Sequence, residues 1–289
     1  MIHYKKIQSN GNNFLLLDNR NLNLESESIS RYAIRDCDIK KGIGADGLLV
    51  LENSDCAEFR MRIFNSNGFE SEMCGNGARC IALYAYDHKI ALEKMHFETL
   101  SGIIYAEVSG VQVKITLGTY NINPSLDLQQ TDIHEETLYY QFLTIGVPHV
   151  VVFLEDNKTY TKAEMKLIGA ALDTNHRLFQ SGTNVNFVKK INNGSESIDQ
   201  VESHSDLDKI EVITYERGVE DITDSCGTGS CASAILASIR YHLTSPIEVI
   251  NIGGINRVYF IKNNHQVEIQ LEGEVYYSGN IECAILNQK

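Results

Sequence analysis

The chain has 289 residues, of which 43% are hydrophobic, and a formal net charge of −13 at pH 7. This size suits one large or two medium domains. The acidic balance argues against nucleic acid or an anionic membrane surface as a partner, because both favour basic patches. No apolar run reaches the length of a membrane span, and the first residues lack the apolar core of a signal peptide. We therefore expect a cytoplasmic protein that has neither a nucleic-acid nor a membrane partner.

Short strands dominate the elements predicted in the first half. The residue pattern predicts strands at 6–8, 14–18, 48–51, 58–65, 95–99, 103–108 and 111–117. Helical spacing is predicted at 30–37, where Ser30 is a plausible N-terminal residue, and again at 78–86. The polar stretch 121–136 contains Pro124 and is interpreted as a crossing between two domains.

The second half repeats this order of elements. Strands are predicted at 138–145, 150–154, 184–188, 210–215, 247–250, 257–261, 267–271 and 274–277, and helices at 162–172 and 232–239. The polar segment 192–205 is predicted to be a loop. Many strands with few helices and mostly local connections favour an α+β fold over a parallel βαβ sheet.

A cysteine motif occurs once in each half. Cys74 and Cys226 are each followed by Gly-(Asn or Thr)-Gly and then by a helical pattern. Glycines allow a sharp turn into the helix, and the helix start exposes backbone N–H groups. A thiol at this position lies at the positive end of the helix dipole, where the thiolate is favoured. Two such thiols predict a reaction that needs two proton carriers.

The remaining cysteine pattern indicates neither disulfides nor a metal site. Seven cysteines is an odd number, and no Cys-x-x-Cys pair occurs. Buried, unreactive thiols are predicted at Cys37, Cys56, Cys80, Cys231 and Cys283. A cysteine hydrolase with His149 as the partner base is the main mechanistic alternative, although a histidine beside a proline at a strand start is more often structural.

Polar residues at strand ends form a second set of candidates. Glu216 and Arg217 end a strand shortly before Cys226, and Asn65 and Asn184 are interpreted as closing strands as well. An exposed Glu-Arg pair contributes little to stability, and either asparagine alone is a common turn residue. In a functional interpretation, the Arg217 guanidinium binds a substrate carboxylate.

Taken jointly, these motifs resemble the diaminopimelate epimerase family over essentially the full chain. The matching blocks are Gly-Asn-Asn-Phe at 11–14, Gly-Ile-Gly-Ala-Asp at 42–46, Arg-Ile-Phe-Asn at 62–65, Cys-Gly-Asn-Gly-Ala-Arg-Cys at 74–80, Gly-Thr-Asn-Val-Asn-Phe at 182–187, Glu-Arg-Gly at 216–218 and Cys-Gly-Thr-Gly at 226–229. The resemblance implies a cofactor-independent, metal-free epimerase that interconverts LL- and meso-diaminopimelate for lysine and cell-wall precursor biosynthesis.

It also implies two pseudo-symmetric α+β domains, each a mostly antiparallel strand barrel around a central helix. The first would span 1–118 with 278–289 returning to it, and the second 119–277. A homodimer is expected. The resemblance makes Cys74 and Cys226 the two catalytic bases and assigns substrate binding to Asn12, Asn65, Gly75, Asn76, Asn184, Glu216, Arg217, Gly227 and Thr228.

Four departures from the family pattern concern the rest of the site. Asn13 replaces a usual aspartate, Val147 replaces a usual asparagine, Ile252 replaces a proline, and 220–224 is one residue longer than the common form. Neither catalytic cysteine is affected. Two alternatives therefore stay open: a racemase of another amino acid on the same scaffold, and a non-catalytic amino-acid-binding paralogue, which would not need both thiols.

Overall fold

The structure is a computed structural model and describes residues 2–122, 127–133, 136–154, 159–191 and 207–283. Its elements in chain order are β1 (Ile2–Ser9), β2 (Asn12–Asp18), α1 (Ser26–Asp36), β3 (Gly47–Glu52), β4 (Arg60–Asn65), β5 (Glu70–Ser71), α2 (Gly75–Asp87), β6 (Lys94–Thr99), β7 (Gly102–Ser109), β8 (Gln112–Asn121), β9 (Gln129–Ile133), β10 (Glu136–Ile145), β11 (Val147–Phe153), α3 (Lys162–Asp173), β12 (Asn184–Ile191), β13 (Asp208–Glu216), β14 (Asp221–Thr223), α4 (Gly227–Tyr241), β15 (Ile247–Asn251), β16 (Gly254–Asn263), β17 (Gln266–Glu274) and β18 (Tyr276–Cys283). The α+β prediction is confirmed.

The chain divides into two compact units. Unit 1 comprises the described residues of Met1–Thr116 and Glu272–Lys289, and unit 2 comprises those of Leu117–Leu271. Within the described residues, no helix is both long enough and apolar enough to cross a membrane.

In unit 1, a mostly antiparallel sheet surrounds α2. Strand β18 pairs with β1, so the C-terminal strand lies beside the first one. Strand β1 pairs antiparallel with β2, β2 runs parallel to β3, and β3 pairs antiparallel with β4. Residues 76–85 of α2 are all buried. A helix that is buried on every side lies inside a core, and α2 is therefore the centre of unit 1.

Unit 2 has the same plan around α4. Strands β10 and β11 are antiparallel, β11 and β12 are parallel, and β12 and β13 are antiparallel. Residues 229–238 of α4 are all buried. Helix α3 is amphipathic instead, and its N-terminus is fixed by a capping box between Thr161 and Glu164.

Several predicted boundaries were wrong. Helix α1 begins at Ser26, with Glu25 at the N-cap, and not at Ser30. The Ser30 hydroxyl does not cap the helix, because it donates to the Gly68 carbonyl oxygen at 2.8 Å. The predicted strand at 274–277 is divided between β17 and β18.

Two further predictions need correction, and two concern residues or side chains outside the described part of the chain. Within the stretch 121–136, strand β9 forms and pairs with β10. Cys56 is exposed rather than buried, whereas Cys37, Cys80 and Cys231 are buried as predicted. Asn184 opens β12 rather than closing a strand. The loop 192–205 and the side chain of Cys283 lie outside the described residues.

Candidate active site

The first candidate thiol stands at the start of α2. Cys74 is partly buried and is the N-cap residue, with extended backbone angles. Its carbonyl oxygen accepts the first helical hydrogen bond from the Ala78 N–H, at 2.8 Å. Helix geometry leaves the N–H groups of Gly75, Asn76 and Gly77 without intrahelical acceptors. They are therefore able to bind an anion beside the thiol.

Polar side chains of unit 1 meet this helix start. Asn12 opens β2, and its Oδ1 accepts a hydrogen bond from Asn76 Nδ2 at 2.5 Å. Asp46 Oδ2 accepts from the Asn13 backbone N–H at 2.7 Å and from Asn12 Nδ2 at 3.4 Å. The strand pairing explains the meeting, because the beginnings of β2 and β3 and the end of β4 lie at one end of the sheet. Asn65 is exposed at that same end, where its Nδ2 donates to Ser71 Oγ at 2.8 Å.

The second candidate thiol has the equivalent position on α4. Cys226 is the N-cap residue and is 7% exposed. Its carbonyl oxygen accepts from the Ser230 N–H at 2.8 Å, and its sulfur lies 3.6 Å from Thr228 Oγ1. The next glycine, Gly229, is in close contact with Asn186: a methyl group added at Gly229 would overlap Asn186 Oδ1 and would lie 3.3 Å from the Cys226 sulfur.

Three predicted binding residues gather at one end of the unit 2 sheet. Asn184 opens β12 and Glu216 closes the antiparallel β13, so the two are neighbours. Asn184 Oδ1 accepts a hydrogen bond from the Arg217 backbone N–H at 2.9 Å. The Arg217 side chain is partly exposed, and its Nη1 donates to the Ser181 carbonyl oxygen at 2.6 Å. Burial raises the pKa of Glu216.

His149 and Asn186 belong to one hydrogen-bonded network near Cys226, which the sequence did not predict. His149 is fully buried, and burial, together with the positive charge of Arg217, lowers its pKa to about 3. The ring is therefore neutral at ordinary pH. Asn186 Nδ2 lies 3.3 Å from His149 Nδ1, and Asn186 Oδ1 accepts from Thr214 Oγ1 at 3.0 Å. The parallel register, which pairs His149 with Asn184 and Val151 with Asn186, brings them together. A fully buried, neutral histidine whose Nδ1 lies against Asn186 does not favour a cysteine hydrolase.

No metal site is evident in the part of the chain that the structure describes. Within those residues, no group of three or more His, Cys, Asp or Glu side chains is arranged to hold an ion. The two helix starts present thiols, backbone N–H groups and hydrogen-bonding side chains.

Solved structures with low sequence identity share this fold. The hydroxyproline epimerase from Agrobacterium vitis, solved with bound trans-4-hydroxy-L-proline, matches with a TM-score of 0.65 at 13% identity, over 97% of this chain and 90% of its own. A phenazine biosynthesis protein of the PhzF family from Enterococcus faecalis matches with a TM-score of 0.66 at 14% identity, over 98% of this chain and 99% of its own. The fold is thus that of a class whose solved members include an epimerase.

Sequence comparison narrows the class to one family. The family model described as diaminopimelate epimerase matches residues 4–123 and 141–278. The diaminopimelate epimerase of Aquifex aeolicus (strain VF5) is 35% identical over 288 residues, which cover 95% of this chain and 95% of the relative. The chain belongs to the diaminopimelate epimerase family, and the protein is an isomerase.

Proposed function

We propose that this protein interconverts LL- and meso-diaminopimelate by proton transfer at one α-carbon, without a metal or pyridoxal phosphate. The observation that carries the proposal is the pair of buried helices, α2 and α4, each with a cysteine at its N-cap. Family membership supplies the substrate, since the Aquifex aeolicus relative bears the name diaminopimelate epimerase.

Inversion at a carbon needs a base on one face and an acid on the other. In our proposal, one of Cys74 and Cys226 is the thiolate that removes the α-proton, and the other is the thiol that returns a proton to the opposite face. The roles exchange in the reverse direction. The two titrations are coupled, so the pair has macroscopic pKa values that belong to neither residue alone.

Negative charge develops beside the α-carboxylate as the proton leaves. We assign its stabilisation to the helix starts, where Gly75, Asn76, Gly227 and Thr228 present backbone N–H groups to the carboxylate. Donors fixed in advance and aimed at developing charge lower the barrier without a cofactor. The partial positive charge of each helix N-terminus acts in the same direction.

The remaining predicted residues bind the substrate's amino and distal groups. We assign Asn12 and Asn65 of unit 1 and Asn184, Glu216 and Arg217 of unit 2 to these contacts. The support is their position at the sheet ends where α2 and α4 begin. Arg217 is held at its backbone by Asn184 and at its guanidinium by Ser181, so its charge is oriented before substrate arrives.

We further propose that residues 1–118 with 278–289 form one domain and residues 119–277 the other, and that substrate binding excludes water from the thiols. Exclusion of water strengthens the thiolate as a base towards a weakly acidic C–H bond. A homodimer located in the cytoplasm completes the proposal.

A racemase of another amino acid is the second candidate, favoured by one observation. Val147, where the family has an asparagine, stands partly buried at the start of β11. It lies on the same face as His149 and next to the Asn184 end of the sheet, according to the strand register. An apolar side chain at position 147 cannot form the hydrogen bond to the substrate's distal group that an asparagine would supply.

Arg217→Met separates the two candidates. Loss of an Arg–carboxylate contact in a closed site costs several kcal/mol, which is about a hundredfold or more in relative rate. We expect kcat/KM on diaminopimelate to fall by that factor, with little change on lysine, which lacks the distal carboxylate. The exposed Arg177 in the same unit provides a matched control, Arg177→Met. A wild-type preference for lysine or histidine over diaminopimelate would contradict the proposed substrate.

Replacement of the two cysteines tests the mechanism. Cys74→Ala and Cys226→Ala should each abolish racemisation, measured by chiral chromatography, while thermal unfolding stays close to wild type. Wild-type turnover in both directions by either variant would exclude the two-base scheme.

A further inference from the structure

The two cysteine helices differ in charge at one matching position. Five residues after Cys74 stands Arg79, and five residues after Cys226 stands Cys231. Both side chains are fully buried, at 0% exposure. A buried cation therefore lies near the start of α2, whereas a neutral thiol has the matching position in α4.

The Arg79 side chain extends back towards the first turn of α2. Its Nη2 donates to Asn76 Oδ1 at 2.5 Å, and its Nε donates to Ser9 Oγ at 3.1 Å. Helical side chains point towards the N-terminus, which is consistent with a bond to a residue one turn earlier. The contact also orients the Asn76 amide, because Oδ1 faces Arg79 while Nδ2 donates to Asn12 at 2.5 Å.

Gly273 provides the room that the Arg79 guanidinium occupies. A methyl group added at Gly273 would lie 3.0 Å from Arg79 Cζ and 3.1 Å from Arg79 Nε. Ser9, the other anchor, donates its hydroxyl to the Glu274 carbonyl oxygen at 2.7 Å. Strand ends and a helix thus fix the cation in one position.

The start of α4 has a neutral network in place of that cation. Asn256 Nδ2 donates to Ser225 Oγ at 3.2 Å and to Ser230 Oγ at 3.0 Å, and Ser230 Oγ donates to Asn251 Oδ1 at 3.2 Å. All four side chains are buried. Their dipoles satisfy hydrogen bonds but add no net charge beside Cys226.

Other charges near α2 act more weakly on Cys74. Asp46 and Glu72 are exposed, so water and salt screen them more than the buried Arg79. The elements packed around α2 carry ion-paired groups whose positive and negative charges offset one another over the whole set: Arg62 with Glu70 and Glu52, Arg20 with Asp18, Arg60 with Glu98, and Glu107 with Lys94 and Lys114. Lys5 donates to Asn280 Oδ1 at 2.8 Å, Lys6 is partly exposed on β1, and His88 lies at the opposite end of the helix.

The charges near α4 also leave Cys226 less favoured as the thiolate. Arg217 is partly exposed, and its guanidinium donates to the Ser181 carbonyl oxygen. Asp224 is exposed, His149 is neutral, and Glu248 is paired with Arg257 at 3.1 Å. Lys189 and Lys190 lie towards the C-terminal end of β12, and Lys209 and Glu211 lie towards the N-terminal end of β13. These two strand ends pair with each other, at the opposite end of the sheet from Asn184 and Glu216.

We propose that Arg79 is a positioning residue that keeps the thiolate on Cys74 and leaves the proton on Cys226 in the resting enzyme. It acts through its charge and through the orientation of Asn76. The inference rests on the proposed function, because it assumes that these two cysteines are the bases. The five-residue separation corresponds to about 7.5 Å along a helix. A unit charge about 7 to 8 Å away, at an effective dielectric constant of about 20 to 30, changes the thiol–thiolate ratio about 10- to 40-fold.

The test measures the protonation of each thiol in the ligand-free full chain. Iodoacetamide reacts with the thiolate, and peptide mass spectrometry follows Cys74 and Cys226 separately over a pH series. The midpoint of each pH profile is compared, and not the absolute rate, because Cys226 is the more buried thiol. In wild type we expect the lower midpoint at Cys74.

The variants then test the role of Arg79. Arg79→Met should raise the Cys74 midpoint by about one pH unit or more, which slows alkylation about tenfold at neutral pH. The acidic limb of kcat/KM should move to higher pH in the same direction. Arg79→Lys keeps the charge and should move the midpoint less than Arg79→Met. Arg31→Gln removes an exposed charge on α1 and should move neither midpoint.

Thermal unfolding identifies variants that do not fold. If Arg79→Met is one of them, Arg79→Gln also removes the charge while keeping an N–H donor for Asn76, and a raised Cys74 midpoint is again expected. A lower midpoint at Cys226 than at Cys74 in wild type, or an unchanged Cys74 midpoint in a folded variant without the Arg79 charge, would overturn the inference. By contrast, full turnover after alkylation of both cysteines would overturn the proposed function itself.

Discussion

The change Gly229→Ala tests how tightly the start of α4 is packed. The added methyl group would overlap Asn186 Oδ1 and would also approach the Cys226 Cβ and sulfur at 3.2 and 3.3 Å. Asn186 has little freedom to move, because it accepts from Thr214 and donates to the Val150 carbonyl oxygen at 3.0 Å. Either Asn186 loses these bonds or the cysteine moves.

The expected cost follows from these contacts. Overpacking in a close-packed core costs about 1–3 kcal/mol, and a lost internal hydrogen bond adds about 1 kcal/mol. The better helix propensity of alanine returns about 1 kcal/mol. The free energy of unfolding should therefore fall by about 1–3 kcal/mol. A catalytic group misplaced by about 1 Å loses roughly a hundredfold in rate, so kcat should fall by about that factor.

Gly77→Ala is the matched control, since Gly77 has the same position in the Cys74 motif. Its added methyl group would meet only side-chain ends, Leu49 Cδ2 at 2.9 Å and Met61 Cε at 3.3 Å. These groups can shift, and the variant should stay within about 1 kcal/mol of wild type. Urea unfolding and a chiral epimerisation assay measure both effects. Equal stability and activity for the two variants would refute this packing account.

Three further predictions concern the buried side chains of His149 and Asp36 and the proposed metal-free chemistry. The neutral His149, with a pKa of about 3 against 6.5 in the unfolded chain, should cost stability as the pH falls below 6.5, by about 2 kcal/mol between pH 7 and pH 5; urea unfolding should show this slope reduced in His149→Gln. Asp36→Ala should lower the free energy of unfolding by about 2 kcal/mol, because the buried Tyr4 hydroxyl loses its acceptor at 2.7 Å, and the activity of the folded fraction should not change. Dialysis against chelators should leave epimerisation intact; loss that an added metal restores would contradict the proposed chemistry.

The two helix starts were predictable from the sequence because their signals are local. Cysteine followed by Gly-x-Gly and then by small and aliphatic residues at helical spacing specifies both the turn and the buried helix. Strands such as β4 and β13 were predictable for the same reason, since alternation or an apolar run marks them. The position of Arg217 directly after β13 could be predicted from the end of that strand.

Contacts set by strand register were not predictable from one sequence. The contact of His149 with Asn186 depends on a parallel pairing between strands separated by α3. Arg79 looked like one more residue of a helical pattern, and only its burial and its bonds to Asn76 and Ser9 distinguish it. The predicted start of α1 was wrong because no side chain caps the observed start of the helix. Ser30 resembles an N-cap residue in the sequence, but its hydroxyl donates to the Gly68 carbonyl oxygen.

The central claim is two-base inversion of diaminopimelate, and an assay in D2O tests it most directly. Wild-type protein is incubated with LL-diaminopimelate in D2O and sampled at early times. The isomers are separated by chiral chromatography, and the deuterium content of each is measured by mass spectrometry. Two-base inversion predicts that meso-diaminopimelate forms with one deuterium at the inverted carbon, while the remaining LL isomer carries almost none. No conversion, or deuterium entering the LL isomer as fast as the meso isomer, would contradict it.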